Sequence, residues 1–181
     1  MAEFLDIVNE NDEVIDVMER SEASKRGLGY RIIFVLFYTP MGDVILQRRH
    51  PLKSAGGMFT TTASGHVESG KSYEETAIKE TKEETGVDLE PTQLVDLGKR
   101  SYHAQRGMRW AGVYLHEYAG SIEDLTVEEN EGDGFVAVPL DELKLAVEQK
   151  QKEYTLFAIT EFAEQLLSEV ERRITPATRH D

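Results

Sequence analysis

The chain contains no cysteine, which removes disulfides, thiolate metal ligands and cysteine nucleophiles from consideration. It has one tryptophan and five prolines in 181 residues, and no run long and apolar enough to span a membrane. Basic side chains are in deficit: twenty Lys and Arg against thirty-four Asp and Glu give a formal charge of -14, a field that repels nucleic acid backbones and anionic lipid surfaces. Neither a polymeric nucleic acid partner nor a membrane is therefore expected. The opening residues MAEFLDIVNENDEVIDV carry acids where a secretory signal needs a basic start and an apolar core, so the expectation is a soluble, cytoplasmic protein.

With 40% hydrophobic residues the chain can bury one sizeable core, and its length points to a single domain over residues 1–175, with a disordered polar tail at 176–181. Two short apolar runs, residues 4–8 and 14–19, flank the turn formers Asn9-Glu10-Asn11-Asp12 and predict an N-terminal β-hairpin within an extension covering 1–28. YRIIFVLFY at 30–38 is β-branched and aromatic throughout, as in a strand buried on both faces. Residues 44–49 follow a Pro-Met-Gly-Asp turn and complete a second hairpin. MFTTTA at 58–63 is a further strand candidate, and Gly65-His66-Val67-Glu68-Ser69-Gly70 reads as an irregular loop leading into a helix. Strands are predicted over 93–102 and 108–118 with Gly107 in the turn, and over 135–138; helical spacing covers 141–150 and 154–173. This order of elements indicates an α/β or α+β sandwich.

The central helix is framed by a capping box, Ser72 with Glu75, and by Gly86. Inside it Glu80, Glu83 and Glu84 stand at i, i+3 and i+4, an arc of roughly 100° on one face. Carboxylates this close repel one another, and a hard divalent cation bound by oxygen reverses the repulsion. Magnesium is the natural candidate, with manganese as a substitute. Taken alone, the spacing is more often that of a solvated acidic face.

The whole stretch over residues 65–87, GHVESGKSYEETAIKETKEETGV, resembles the 23-residue signature of the Nudix hydrolases. Gly65, Glu80, Glu83, Glu84, Gly86 and Val87 match that pattern with its spacing kept, while Lys71 replaces an acid, Lys79 an arginine and Thr81 a bulky aliphatic. The resemblance implies an α/β/α sandwich with a mixed sheet, and a reaction in which water attacks a phosphorus of a nucleoside diphosphate linked to a group X. It implies Glu83 and Glu84 as main ligands of the metal, Glu80 as a further ligand or the general base, and one more acid from a later loop. The acidic stretch 123–133 offers Glu128, Glu129 and Glu131 for that role, with Glu129 taken as the candidate. Lys79 keeps its positive charge but lacks the planar fork of arginine. Lys71 precedes the helix cap and is expected to lie away from the three glutamates.

Residues 8–49 also resemble the N-terminal region of the isopentenyl-diphosphate isomerase-like branch of the same superfamily. Isomerases of that type use a cysteine just before the glycine-histidine pair, where this chain has Ser64, and draw a metal site from near the first long strand, where it has Tyr30. The resemblance therefore favours hydrolase over isomerase, with a catalytically weak nucleotide-binding module as a further reading of Lys71 and Lys79. Arg48 and Arg49 at a strand end suit phosphate, or are simply a charged strand end. Gly65, His66 and Arg109 complete the expected substrate-binding set, with Tyr102, His103, Arg106 and Trp110 clustered near Arg109; core packing explains Trp110 at least as well. A homodimer built with the N-terminal hairpin is compatible with the sequence, although no pattern calls for it.

Overall fold

The run YRIIFVLFY forms strand β3 (Tyr30–Tyr38), and the rest of the sheet is arranged along its two edges. The computed structural model describes residues 2–52, 55–127, 132–155 and 160–174. Strand β8 (Gly107–Glu117) covers one edge of β3 in parallel register, from Tyr30 opposite Arg109 to Tyr38 opposite Glu117. Three short partners share the other edge: β1 (Phe4–Val8) at Tyr30, β6 (Ala63–His66) along residues 32–35, and β4 (Asp43–Arg49) at Phe37 and Tyr38. Beyond them, β2 (Val14–Glu19) pairs with β1, β7 (Val95–Ala104) with β8, and β5 (Phe59–Thr60) and β9 (Gly132–Pro139) with β4.

Alternation along β3 feeds two cores. Tyr30, Ile32, Leu36 and Tyr38 pack with the C-terminal helices α3 (Leu140–Glu148) and α4 (Thr160–Ile174), whereas Ile33, Val35 and Phe37 pack under helix α2 (Tyr73–Thr85). A strand with a helix layer on each face has no wet side, which is why its sequence shows no polar alternation. The result is the expected mixed sheet between helices. No described helix is long and apolar enough to cross a membrane.

Three local expectations are corrected. The N-terminal hairpin is followed by a short helix, α1 (Arg20–Lys25), whose start is capped by the Glu19 carboxylate accepting from the Ser21 amide; six residues are too few to show helical periodicity in sequence. The loop predicted from Gly65 begins only at Val67, because Gly65 and His66 pair with Ile33 and Ile32 as part of β6. The last helix is described over Thr160–Ile174, and Tyr154, expected within it, bridges Phe59 instead. The tail at 176–181 lies outside the described residues.

Asp12, at the tip of the β1–β2 hairpin, ties the N-terminus to the body. Its φ of 61° lies in the left-handed region that Asp and Asn tolerate. One carboxylate oxygen accepts from Arg31 Nε at 2.6 Å and from the Tyr73 hydroxyl at 3.0 Å, the other from Lys99 Nζ at 2.6 Å. The turn is thereby fastened to β3, β7 and the first residue of α2. Burial pushes the Asp12 carboxyl up, but the hydrogen bonds from Lys99, Arg31 and Tyr73 outweigh it and hold it below its ordinary value.

Two substitutions test this packing. Asp12→Asn keeps shape and left-handed backbone while removing the charge, and is expected to destabilise the fold by about 2–3 kcal/mol in urea unfolding. On the inner face of α2, Thr81 is fully buried and its hydroxyl has no hydrogen-bond partner. Thr81→Val should therefore stabilise by about 1 kcal/mol, seen as a rise in melting temperature of about 2–4 °C.

Candidate active site

Helix α2 begins with the predicted capping box, Ser72 Oγ accepting from the Glu75 amide at 3.1 Å and Glu75 Oε2 from the Ser72 amide at 2.8 Å. It ends at Gly86, whose φ of 76° a side chain would strain. Between these stops the helix lies against β6, and two of its glutamates make the contact. Glu84 is buried, and its Oε2 accepts from the Ser64 amide at 3.2 Å and from Gln47 Nε2 at 3.4 Å. Glu80 lies directly on Gly65: a Cβ at that position would stand 2.4 Å from Glu80 Cδ. Gly65 thus makes room for the Glu80 carboxylate by lacking a Cβ, and its backbone angles are ordinary.

Glu83 is half exposed and turns the other way, to Lys79. Lys79 Nζ lies 3.1 Å from Glu83, 3.3 Å from Glu80 and 3.4 Å from Glu68. Burial lowers the proton affinity of this ammonium, but Glu83 and Glu80 raise it further, so Lys79 is a permanent cation. Burial also pushes the Glu80 carboxyl above its ordinary range, opposed by Lys79 and reinforced by Glu83 and by Glu3. As the side chains stand, Glu80, Glu83 and Glu84 do not converge on one point, and among the described residues no three acidic or imidazole groups are placed to hold a metal ion. The donor chemistry nevertheless fits a hard divalent cation, since all three are carboxylates on one helix and two of them, Glu80 and Glu83, already gather with Glu68 around the Lys79 ammonium.

A cavity of about 290 Å³ opens beside these groups, lined among others by His66, Glu68, Lys71, Thr76, Lys79 and Glu80. The position of Lys71 is a correction: a turn from its amide to the Glu68 carbonyl, 3.0 Å, folds the loop back so that Lys71 and Glu80 line one cavity. The N-terminal strand buttresses this loop. Ser69 donates its hydroxyl to Asp6 at 2.6 Å and its amide to the Phe4 carbonyl at 2.8 Å, and Glu3 lies 3.7 Å from His66 Nδ1. Burial, with the charges of Arg20 and Arg109, holds the His66 imidazole down to about 3, so the ring is neutral at ordinary pH.

The remaining sequence candidates fall in different places. Arg48 is exposed, donates to the Gly57 carbonyl at 3.4 Å and lies 3.9 Å from Asp133. Arg49 projects from the same face of β4 as Gln47, which reaches Glu84. Arg109 is buried, lies 3.5 Å over the Tyr30 ring, and donates to the carbonyls of Leu28, Arg106 and Met108. Trp110, half-buried, donates to the Asn9 carbonyl. Glu128, Glu129 and Glu131 lie outside the described residues. Sequence reasoning passed over Gln47, Glu68, Glu3 and the Ser64 amide. Of these only Gln47 left a trace, as an amide in an otherwise apolar strand segment.

The NUDIX domain family profile matches residues 30–158. The Nudix hydrolase CA_C0446 of Clostridium acetobutylicum, itself uncharacterised, is 31% identical over 156 residues, 82% of this chain and 75% of that one. The crystal structure of DR0079 from Deinococcus radiodurans superposes with a TM-score of 0.72 at 22% identity, covering 89% of this chain and 99% of that one. A bifunctional NMN adenylyltransferase/ADP ribose pyrophosphatase from Francisella tularensis, crystallised with AMP and a Mn ion, shares the fold at a TM-score of 0.51 and 15% identity, over 65% of this chain and 36% of that one.

Glu80 owes its raised proton affinity chiefly to burial, and that burial rests on the contact with Gly65. Gly65→Ala forces the carboxylate outward, so its pKa is expected to fall towards the ordinary carboxylate range. A carbon-13 NMR titration of Glu80 in both proteins checks this; an unchanged titration would refute the packing account.

Proposed function

This chain belongs to the Nudix hydrolase family and is a hydrolase acting on pyrophosphate bonds, and from that premise we propose that it cleaves a nucleoside diphosphate linked to X with the glutamates of α2 as its catalytic centre. The carrying observation is the docking of α2 on β6, which holds Glu84 against the Ser64 amide and Glu80 against Gly65, with Glu80 also lining the cavity. A divalent ion, Mg²⁺ or Mn²⁺, held chiefly by Glu83 and Glu84 would neutralise charge on the phosphoryl oxygens and acidify bound water. The small-molecule, nucleotide-like substrate is supported by the Francisella tularensis neighbour, crystallised with AMP and a Mn ion.

The protein's own residues divide the remaining work. Glu80, with its proton affinity raised by burial, accepts the proton of the attacking water as general base. Glu84 is held by Ser64 and Gln47, so its carboxylate is presented in one orientation. Lys79 offsets the mutual repulsion of Glu80 and Glu83. Arg49, on the Gln47 face of β4, and Arg48 beside it bind substrate phosphates. Neutral His66 serves as a hydrogen-bonding group at the cavity wall. Glu129 retains the role its acidic stretch suggests, a further acid from a later loop. Arg109 is left out of the substrate set, since its guanidinium is engaged by backbone carbonyls and Tyr30.

Glu84→Gln preserves shape and an oxygen acceptor for the Ser64 amide while removing the charge. Release of nucleoside monophosphate from dinucleoside polyphosphates, nucleotide sugars, ADP-ribose and nucleoside triphosphates, with added Mg²⁺ or Mn²⁺, should fall by about a hundredfold or more in kcat for whichever substrate the wild type cleaves. Full activity in that variant would refute the proposed centre.

A further inference from the structure

We infer that Lys71 anchors an anion subsite in the cavity beside the α2 glutamates, and that the protein prefers diphosphate substrates whose X group carries a further phosphate. The inference rests on the hydrolase reading above and deepens it to a substrate class.

The starting point is a reversal of charge. Lys71 occupies the position at which the matching signature carries an acid, so the local charge differs by two units from that pattern. The fold makes this consequential, because Lys71 lines the same cavity of about 290 Å³ as Glu80 and Lys79. A phosphorus chain engaged at Glu80 thus shares one cavity with the Lys71 ammonium.

The neighbouring acids offset this ammonium only in part: Glu75, on the wall of the same cavity, has its carboxyl lowered first by its hydrogen bonds at Ser72 and then by the charge of Lys71. Glu75 holds the Ser72 amide through its carboxylate at 2.8 Å, and Glu68, Glu80 and Glu83 surround Lys79 at 3.1–3.4 Å. Among the described residues Lys71 forms no ion pair; its backbone amide is engaged by the Glu68 carbonyl, while its side chain is exposed on the cavity wall. The two lysines thus differ in kind. Lys79 is consumed by carboxylates of the protein, whereas the Lys71 ammonium, in no ion pair among the described residues, offers three donors to whatever enters. An ammonium on a flexible stem suits a phosphate, which needs a point charge and tolerates a range of approach directions. A neutral sugar as X gains nothing from it.

The test compares a nucleoside triphosphate, whose chain extends beyond the cleaved linkage, with a nucleoside diphosphate sugar of neutral sugar. In Lys71→Gln the ratio of KM for the triphosphate to KM for the sugar should rise about tenfold, the loss of one charge-assisted contact, and in Lys71→Glu it should rise further. An unchanged ratio in both variants would overturn the inference. Binding of inorganic tripolyphosphate without metal, measured by titration calorimetry, separates this question from catalysis. About tenfold weaker binding in Lys71→Gln supports the subsite even if the wild type cleaves neither nucleotide, a result that would count against the hydrolase reading alone. Equal binding by wild type and both variants overturns the subsite whatever the turnover. Because the side chain is exposed, both variants should melt within about a degree of the wild type, so a loss of binding is not a loss of fold.

Discussion

The seating of α2 on β6 is the contact from which the rest of the site follows. A helix can bring a carboxylate into a sheet only where a neighbouring strand gives it room and a donor. Here Gly65 gives the room, with no Cβ to displace Glu80, and the backbone amide of Ser64 gives the donor for Glu84. Both residues belong to a four-residue strand held against the middle of β3. Because β3 is buried on both faces and paired along both edges, that strand has a rigid support. The placement of buried Glu84 and partly buried Glu80 is thereby set by the part of the sheet paired along both edges, as electrostatic preorganisation requires.

Around this contact the charges are arranged in tiers. Glu84 accepts hydrogen bonds from the backbone and from Gln47, Glu80 is partly buried and paired with Lys79, and half-exposed Glu83 pairs with Lys79. Their environments differ although their spacing is regular, and it is on this difference that the proposed division of roles rests. Desolvation favours a proton on Glu80, while half-exposed Glu83 remains free to turn. The Lys79 ammonium lies within the group, 3.1 Å from Glu83, 3.3 Å from Glu80 and 3.4 Å from Glu68.

The N-terminal hairpin lies ahead of residue 30, where the family match begins, yet it is part of the site's construction. Asp6 and the Phe4 carbonyl hold Ser69, Glu3 lies beside His66, and Asp12 reaches Tyr73 at the start of α2. The loop that frames the cavity is therefore clamped between the body of the sheet and this extension. Arg109 belongs to the same support, packed over Tyr30, whose ring in turn lies 5.5 Å from that of His66.

Several features were legible in the residues themselves because local physics determines them. Ser72 and Glu75 specify the start of α2 through donors that only they can satisfy, Gly86 specifies its end through backbone angle, and the unbroken apolar run at 30–38 specifies a strand with no wet face. The i, i+3, i+4 spacing placed three acids on one helix, and the signature around them named the family. What spacing along the helix could not reveal is what each acid meets across the fold. Gln47, Ser64 and Gly65 lie 37, 20 and 15 positions from the groups they touch (47 to 84, 64 to 84, 65 to 80), and only strand pairing brings them there. The same holds for Lys71, which the chain order sets before the helix and a backbone turn swings into the cavity, and for Arg109, whose charge looked available until the carbonyls of Leu28, Arg106 and Met108 closed on it. Sequence determined which groups exist and which helix carries them; tertiary packing decided which are buried, paired or open, because desolvation and hydrogen bonding depend on neighbours distant in the chain.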